Sequence, residues 1–338
     1  MEKFYVDIHF DLMLFVERRR SSGHRNVIVE HFLDDIREGG FRLIVSSIYI
    51  DDEYIPEMAL RKALDQISAL YQEIEESEGR LCLCKNAADI EALKDNDKIG
   101  IMLAFEGVEP LYNDINLLDI FYELGVRIVG LNWSRRNYAA DGSFFSPKRE
   151  GKKGGLTPFG VELVERAENK GMLIDVSHLN DEGFNDVFEF TDGPVIATHS
   201  NSRAIVPVMR NLKDEQIKKL GRRGGLIGIN SANKFTSNED ATSNVPAYVD
   251  HIDRIADLIG IEHVALGFDL CDTELTEDTK KELTIGGRDF FNVVNGHRGV
   301  ADIRVEMERR GYSAEQIRQV FGENFINLIR KQQKKNHG

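Results

Sequence analysis

Eight short apolar runs, rich in Val, Ile and Leu, recur along the chain with longer amphipathic stretches between them. They are Phe4–Ile8, Phe41–Ile48, Lys98–Phe105, Val126–Asn132, Met172–Ser177, Pro194–Thr198, Gly225–Asn230 and His263–Phe268. Runs of this length and composition suit strands buried on both faces of a parallel sheet. The stretches between them read as helices: Pro56–Glu76, a run opened by Thr157-Pro158, another opened by Leu212-Lys213-Asp214, Val245–Ile259, and Ser313–Lys331. Thr157 followed by Pro158 is an N-cap with proline at the first helical position. Strands alternating with helices, without a break in composition, predict one (β/α)8 TIM barrel over residues 1–330 and a frayed tail at 331–338. A doubly wound open sheet is the alternative.

The chain's 338 residues suit a single barrel with insertions. A net charge of −14 argues against nucleic acid or an anionic membrane as a partner. The opening MEKFYVDIHFD has no basic segment followed by an apolar one, and nowhere do 18 apolar residues run together. The expectation is therefore a cytoplasmic protein. Cys82, Cys84 and Cys271 are odd in number and form no C-x-x-C pair, so they read as small buried hydrophobes.

Three connections are long: Ser134 to Leu156, Ser231 to Pro246, and Leu270 to Arg298. All follow strands and so lie on the face of a barrel that carries active sites. The first, SRRNYAADGSFFSPKREGKKGGL, is basic and glycine-rich, which suits either a mobile lid over an anionic substrate or a solvated loop.

Metal-type side chains fall at that same end. His9 and Asp11 end the first run, Glu106 follows the third, His178 ends the fifth, His199 the sixth and Asp269 the eighth. Strand alternation predicts that Val6, Ile8 and Phe10 point outward and that His9 and Asp11 point inward. His178 and His199, on neighbouring strands about 4.8 Å apart, can reach one ion. Glu106 has two oxygens and can bridge two ions, and two ions about 3.5–4 Å apart can activate a water between them. A single histidine at a strand end is more often structural than a ligand; several convergent groups point to a metal site. His24, His31, His251, His263, His297 and His337 lack this placement and read as structural or surface residues. There is no Walker A loop, G-x-G-x-x-G, G-x-S-x-G or H-E-x-x-H.

From about Asp7 to Ile329 these segments resemble the membrane (renal) dipeptidase family of zinc peptidases, within the amidohydrolase superfamily. DIHFDL is similar to its opening H-x-D segment, AFEGVEPL to its E-G segment, and GLTPFGVELVERAENKGMLIDVSH to the stretch ending in a metal-binding histidine. PVIATHSNSRAI, MRNLKDEQI, GFDLCD and GENFINLIR resemble the segments that follow. The resemblance implies two zinc ions, His9 and Asp11 on one, His178 and His199 on the other, with Glu106 bridging. It implies Asp269 as the acid-base residue and Arg210 as the anchor for the substrate carboxylate. A guanidinium is also the preferred bidentate partner of a carboxylate.

Two positions depart from the family pattern. Trp133, the one tryptophan of the chain, stands where the renal enzyme has a histidine that helps hold the scissile carbonyl. An indole has a single N–H and carries no charge, so its expected part is a wall against the substrate. Cys271 stands where the family has a second aspartate near the last strand. The expected function is hydrolysis of small dipeptides by a bridging hydroxide. Another binuclear amidohydrolase, a lactonase or N-acyl amino acid deacylase, and a metal-binding barrel without catalysis are the alternatives. The oligomeric state is open, a homodimer being one option.

Overall fold

The computed structural model describes residues 3–144, 151–272, 274 and 288–336. Its strands are β1 (Tyr5–Phe10), β2 (Phe41–Tyr49), β3 (Leu81–Leu83), β4 (Ile99–Glu106), β5 (Val126–Gly130), β6 (Leu173–Asp175), β7 (Val195–Ile196), β8 (Ile227–Ile229) and β9 (Val264–Leu266). Eight of them pair in the order β7-β6-β5-β4-β2-β1-β9-β8. A parallel bridge between Ala197 and Ile227 sets the end of β7 beside β8 and closes the ring. The fold is a (β/α)8 barrel, and the open-sheet alternative falls. Each of the eight predicted runs supplies one barrel strand. The ninth strand, β3, went unpredicted; it pairs with Ile99–Ile101 of β4 below the point where β5 takes over that edge at Leu103. Three residues carry too little periodicity to be read as a strand.

Side chains fill the barrel. Val6, Ile8, Val45, Met102, Ile128, Leu173, Ile196 and Ala265 form its interior, together with Phe325 of the last helix, Asn324–Asn336. Tyr5, Phe10, Ile44, Ile48, Phe105 and Leu266 face outward against helices such as Ala59–Glu76, which contributes Ala63, Ile67 and Leu70. Thr157 caps the helix Pro158–Asn169, its hydroxyl accepting from Gly160 N at 3.0 Å.

The predicted helix Ser313–Lys331 is broken. Ala314–Arg318 and Asn324–Asn336 flank a wide turn at Gln319–Glu323. A Cβ at Gly322 would lie 2.9 Å from the Phe4 carbonyl oxygen and 3.2 Å from Val6 N, so glycine lets this turn press on the start of β1. The segment 331–338, expected to fray, is helical as far as Asn336; residues 337 and 338, His337 among them, lie outside the described residues. Among the described residues no helix is long and apolar enough to cross a membrane.

The predicted facing of β1 needs correction. Val6 and Ile8 belong to the barrel interior, and of the three only Phe10 faces outward. Asp7 pairs with Ile44 but Phe10 with Ser46, three steps on β1 against two on β2. This bulge lets Ile8 and His9 both turn inward, where strict alternation would oppose them. At this bulge the Asp7 carboxylate accepts from the backbone N–H of His9 at 3.1 Å.

Candidate functional site

The strands of the barrel end in a ring of donors, His9, Glu106, His178 and His199 buried and Asp11 and Asp269 half-buried. His9 lies within β1 at the bulge, Asp11 directly after it, and Glu106 is the last residue of β4. His178, His199 and Asp269 each stand three residues beyond β6, β7 and β9. The backbone there is unusual: His178 has φ 68° and Asp269 φ 56°, both left-handed. Such residues cost on the order of 1–3 kcal/mol each and persist where contacts impose them. Here Ser143 N donates to the His178 carbonyl at 2.7 Å, and Asp269 N donates to the His9 carbonyl at 3.1 Å.

Glu106 is the centre of the arrangement. Its Oε1 lies 3.0 Å from His178 Nε2 and 3.6 Å from His199 Nε2, while its Oε2 lies 3.4 Å from His9 Nε2. Asp11 Oδ1 lies 3.9 Å from His9 Nε2 and accepts from the Ser47 hydroxyl. His178 and His199 bring their Nε2 atoms within 2.9 Å of each other. Glu106 with His178 and His199, and Glu106 with His9 and Asp11, are two sets of donors close enough to hold a metal ion. Asp175 with His9 and His199 is a third.

The far nitrogens of the imidazoles are held by hydroxyls. His9 Nδ1 and His199 Nδ1 lie 3.1 and 2.8 Å from Thr198 Oγ1, and His178 Nδ1 lies 2.9 Å from Ser134 Oγ. Thr198 in turn donates to Asp175, which also accepts from the backbone of Ser177 and Thr198. Thr198 fits because Gly228 in β8 and Gly267 just after β9 lie beside it: a Cβ at Gly228 or Gly267 would lie 2.0 or 1.8 Å from its carbonyl oxygen. Sequence reading missed Asp175, Thr198 and Ser134. The first two lie inside IDVSH and ATHS, one or three residues from a candidate ligand, so proximity was the available signal.

The charges are unbalanced by themselves. Burial and the neighbouring Glu106 and Asp269 hold the Asp11 carboxyl well above its usual range. Asp269 is likewise raised, by burial first and by Glu106, against the pull of His9. Burial disfavours a charged His9, yet Glu106, Asp269 and Asp11 push it up to about 10. Burial and the positive Arg210 push His178 down to about 3 and His199 well below its ordinary value. His9 Nε2 and Glu106 Oε2 are buried without a hydrogen-bond partner among the described residues. Neutral imidazole nitrogens, crowded carboxylates and orphaned inward atoms are the donor chemistry of borderline divalent cations such as zinc. The residues fit that group.

Arg210 is buried beside this cluster. It donates to the Ser200 hydroxyl at 3.0 Å and the His199 carbonyl at 2.7 Å, and its Nε has no partner among the described residues. Burial lowers it to about 10. Trp133 lies with its ring centroid 5.9 Å from that of His178 and 5.4 Å from that of Tyr49. The Arg135 guanidinium stacks over both Trp133 and Tyr49 and pairs with Glu109 and Asp52. Arg136 pairs with Asp141. The described part of the first long connection is thus pinned, by these pairs and by bridges from Ala140 to Leu156 and Gly142 to Leu179. Residues 145–150 of that connection and 273 and 275–287 of the third lie outside the described residues. A separate cavity of about 640 Å³, lined by Phe4, Tyr5, Arg304 and Ile326, opens at the other end of the barrel, away from these donors.

The sequence matches the membrane dipeptidase family, peptidase family M19, over residues 1–338. The chain belongs to the membrane dipeptidase family. Among solved M19 peptidases, dipeptidase AC superposes with a TM-score of 0.84 at 26% identity, covering 98% of this chain and 99% of that one. A metallopeptidase from Rhodobacter sphaeroides, solved with a phosphinate mimic of the dipeptide L-Ala-D-Ala, gives 0.84 at 25% identity, covering 98% and 100%. An uncharacterized protein in the pqqA 5'region of Klebsiella pneumoniae is 36% identical over 210 residues, 60% of this chain and 77% of the relative. In this member of the membrane dipeptidase family the residues expected at the site converge on one end of the barrel, Trp133 included. Cys271 is buried against Asp269, its backbone N–H donating to Asn292 at 3.0 Å.

Proposed function

We propose that this chain is a metal-dependent dipeptidase that hydrolyses the peptide bond of small dipeptides and works with two divalent ions, zinc being the expected metal. The observation that carries this reading is the division of Glu106: one oxygen faces His178 and His199, the other His9. His9 and Asp11 would hold one ion and His178 and His199 the other, with Glu106 shared. Ions bound there would supply a bridging water acidic enough to ionise at neutral pH and positive charge for the developing oxyanion.

The chain's own residues do the rest. Arg210 grips the free C-terminal carboxylate of the dipeptide. Its buried Nε has no acceptor among the described residues, a situation costing about 1–3 kcal/mol or more for a charged donor, which an incoming carboxylate relieves. Asp269 takes the proton from the attacking water and returns it to the amine nitrogen as the C–N bond breaks. A carboxyl raised by burial is suited to hold a proton between those events. Asn230 steadies it, donating to Asp269 Oδ2 at 2.9 Å. Trp133, backed by Tyr49 and Arg135, walls the pocket beside His178. The bound mimic in the Rhodobacter relative supports including L-D dipeptides among the substrates.

The test is a hydrolysis screen of L-L and L-D dipeptides, N-acyl amino acids and lactones with zinc supplied, beside elemental analysis. Dipeptide turnover with two ions per chain is expected. Turnover of lactones or N-acyl amino acids alone, or no dependence on metal, overturns the proposal.

A further inference from the structure

A second buried charged group lies on the other side of β1, under the helices. Asp7 is fully buried and His297 2% exposed. His297 Nε2 is 3.0 Å from Asp7 Oδ2, and its Nδ1 is 3.6 Å from Asp35 Oδ2. Asp35 also accepts from the backbone N–H of His297 at 2.6 Å and pairs with Arg298. Phe10, Phe41 and Phe268 pack edge-on around the imidazole. The remaining oxygen of Asp7 accepts two backbone N–H groups, those of His9 and Phe268, each at 3.1 Å. One of these residues is a candidate ligand; the other immediately precedes Asp269.

We propose that Asp7 and His297 are positioning residues of the metal centre: the imidazole fixes the Asp7 carboxylate so that it captures the two amides, and this capture sets the bulge that turns His9 inward.

The argument is one of facing. Residues two apart on a regular strand share a face. Asp7 faces the helices, so in a regular β1 His9 would face them too. The bulge breaks that rule, and a bulge leaves a backbone group outside the ladder. The Asp7 oxygen receives the His9 N–H and, with the same atom, ties β1 to the segment carrying Asp269. A buried carboxylate holds such a place only if its own charge is met. His297 meets it, and Asp35 steadies His297 from the far side. Burial opposes a charged His297, but Asp35 and Asp7 prevail and raise it.

The inference rests on the two-ion reading, and cobalt titration of folded apoprotein separates the two. A parent that fills only one absorbing site overturns the two-ion reading itself. With two sites filled, His297→Phe keeps the ring packing and deletes the N–H. It is expected to weaken one ion by about 10–100-fold, with a cobalt spectrum matching that of Asp11→Ala. The ion that His178→Ala loses stays unchanged, and His297→Gln, which restores a donor, recovers most of the affinity. Should His297→Phe fail to fold, Asp35→Asn at the half-buried end is expected to weaken the same ion several-fold. Equal weakening of both ions, no recovery in His297→Gln, or unchanged binding in the folded variants overturns the proposal.

Discussion

The Thr198 hydroxyl oxygen lies 2.8 Å from Nδ1 of His199. It also lies 3.1 Å from His9 Nδ1 and donates to Asp175. A hydroxyl has one proton and two lone pairs. With its proton on Asp175, both pairs are open to the two imidazole Nδ1–H groups, which would leave each Nε2 as the nitrogen that loses its proton to a bound ion on the side of Glu106. Thr198→Val keeps the shape and deletes the acceptor. It is expected to weaken zinc binding by about 10–100-fold with the fold intact, and Thr198→Ser to restore it. Unchanged zinc affinity in the valine variant would show that the ring orientations are set elsewhere.

Arg210→Lys replaces a planar fork by a point charge. Dipeptide kcat/KM should fall by one to two orders of magnitude, roughly the worth of a charge-assisted hydrogen bond. The parent should turn over dipeptide amides poorly. Equal rates for a dipeptide and its amide would remove Arg210 from carboxylate recognition.

Asp269→Asn keeps the Asn230 contact but removes the titrating group. A positioned proton carrier is worth about 10²–10⁴-fold in kcat, and that is the loss the proposed role of Asp269 predicts. The loss should appear with zinc content unchanged; a variant turning over at near the parent rate would assign proton transfer to another group.

Trp133→Phe retains the wall beside His178 and removes the indole N–H. A true oxyanion donor is worth about 10²–10³ in kcat, so a wall predicts less than about a tenfold loss on that scale. A hundredfold fall at constant KM and metal content would make the N–H part of the catalytic machinery.

His297 has a folded-state pKa raised above its ordinary value, burial being outweighed by Asp35 and Asp7. The folded protein therefore binds that proton more tightly than the unfolded chain. Its stabilisation is complete below the unfolded value of about 6.5 and is lost as pH rises through the higher folded value. Calorimetry of metal-free protein should find the melting gap between the parent and His297→Gln shrinking above pH ~6.5. A gap that widens with pH contradicts the assigned sign.

The barrel was legible because each of its strands is a short apolar run, and the candidate site because its ligand-type residues end those runs. What escaped the sequence was decided by single tertiary contacts. The inward turn of His9 was expected, but for the wrong reason: alternation put Ile8 under the helices, whereas β1 bulges between Asp7 and Phe10 and leaves Ile8 and His9 both inside. Residues such as Thr198 and Asp175 give no periodic signal, since a hydroxyl hub is recognisable only once two imidazoles from β1 and β7 lie beside it. His297 read as one more structural histidine because its partners are 262 and 290 residues away.

Phe325 and its helix press into the N-terminal end of a barrel already filled by side chains. Among the described residues the barrel interior is plugged at that end. On the proposed dipeptidase reading, substrate enters and both amino acids leave at the end of the barrel that carries the donors. On that reading each free amino acid released would be a rival for the next substrate's place, the one bearing the former C-terminal carboxylate most of all, and turnover under product accumulation would be a matter of traffic at that one end as much as of bond cleavage.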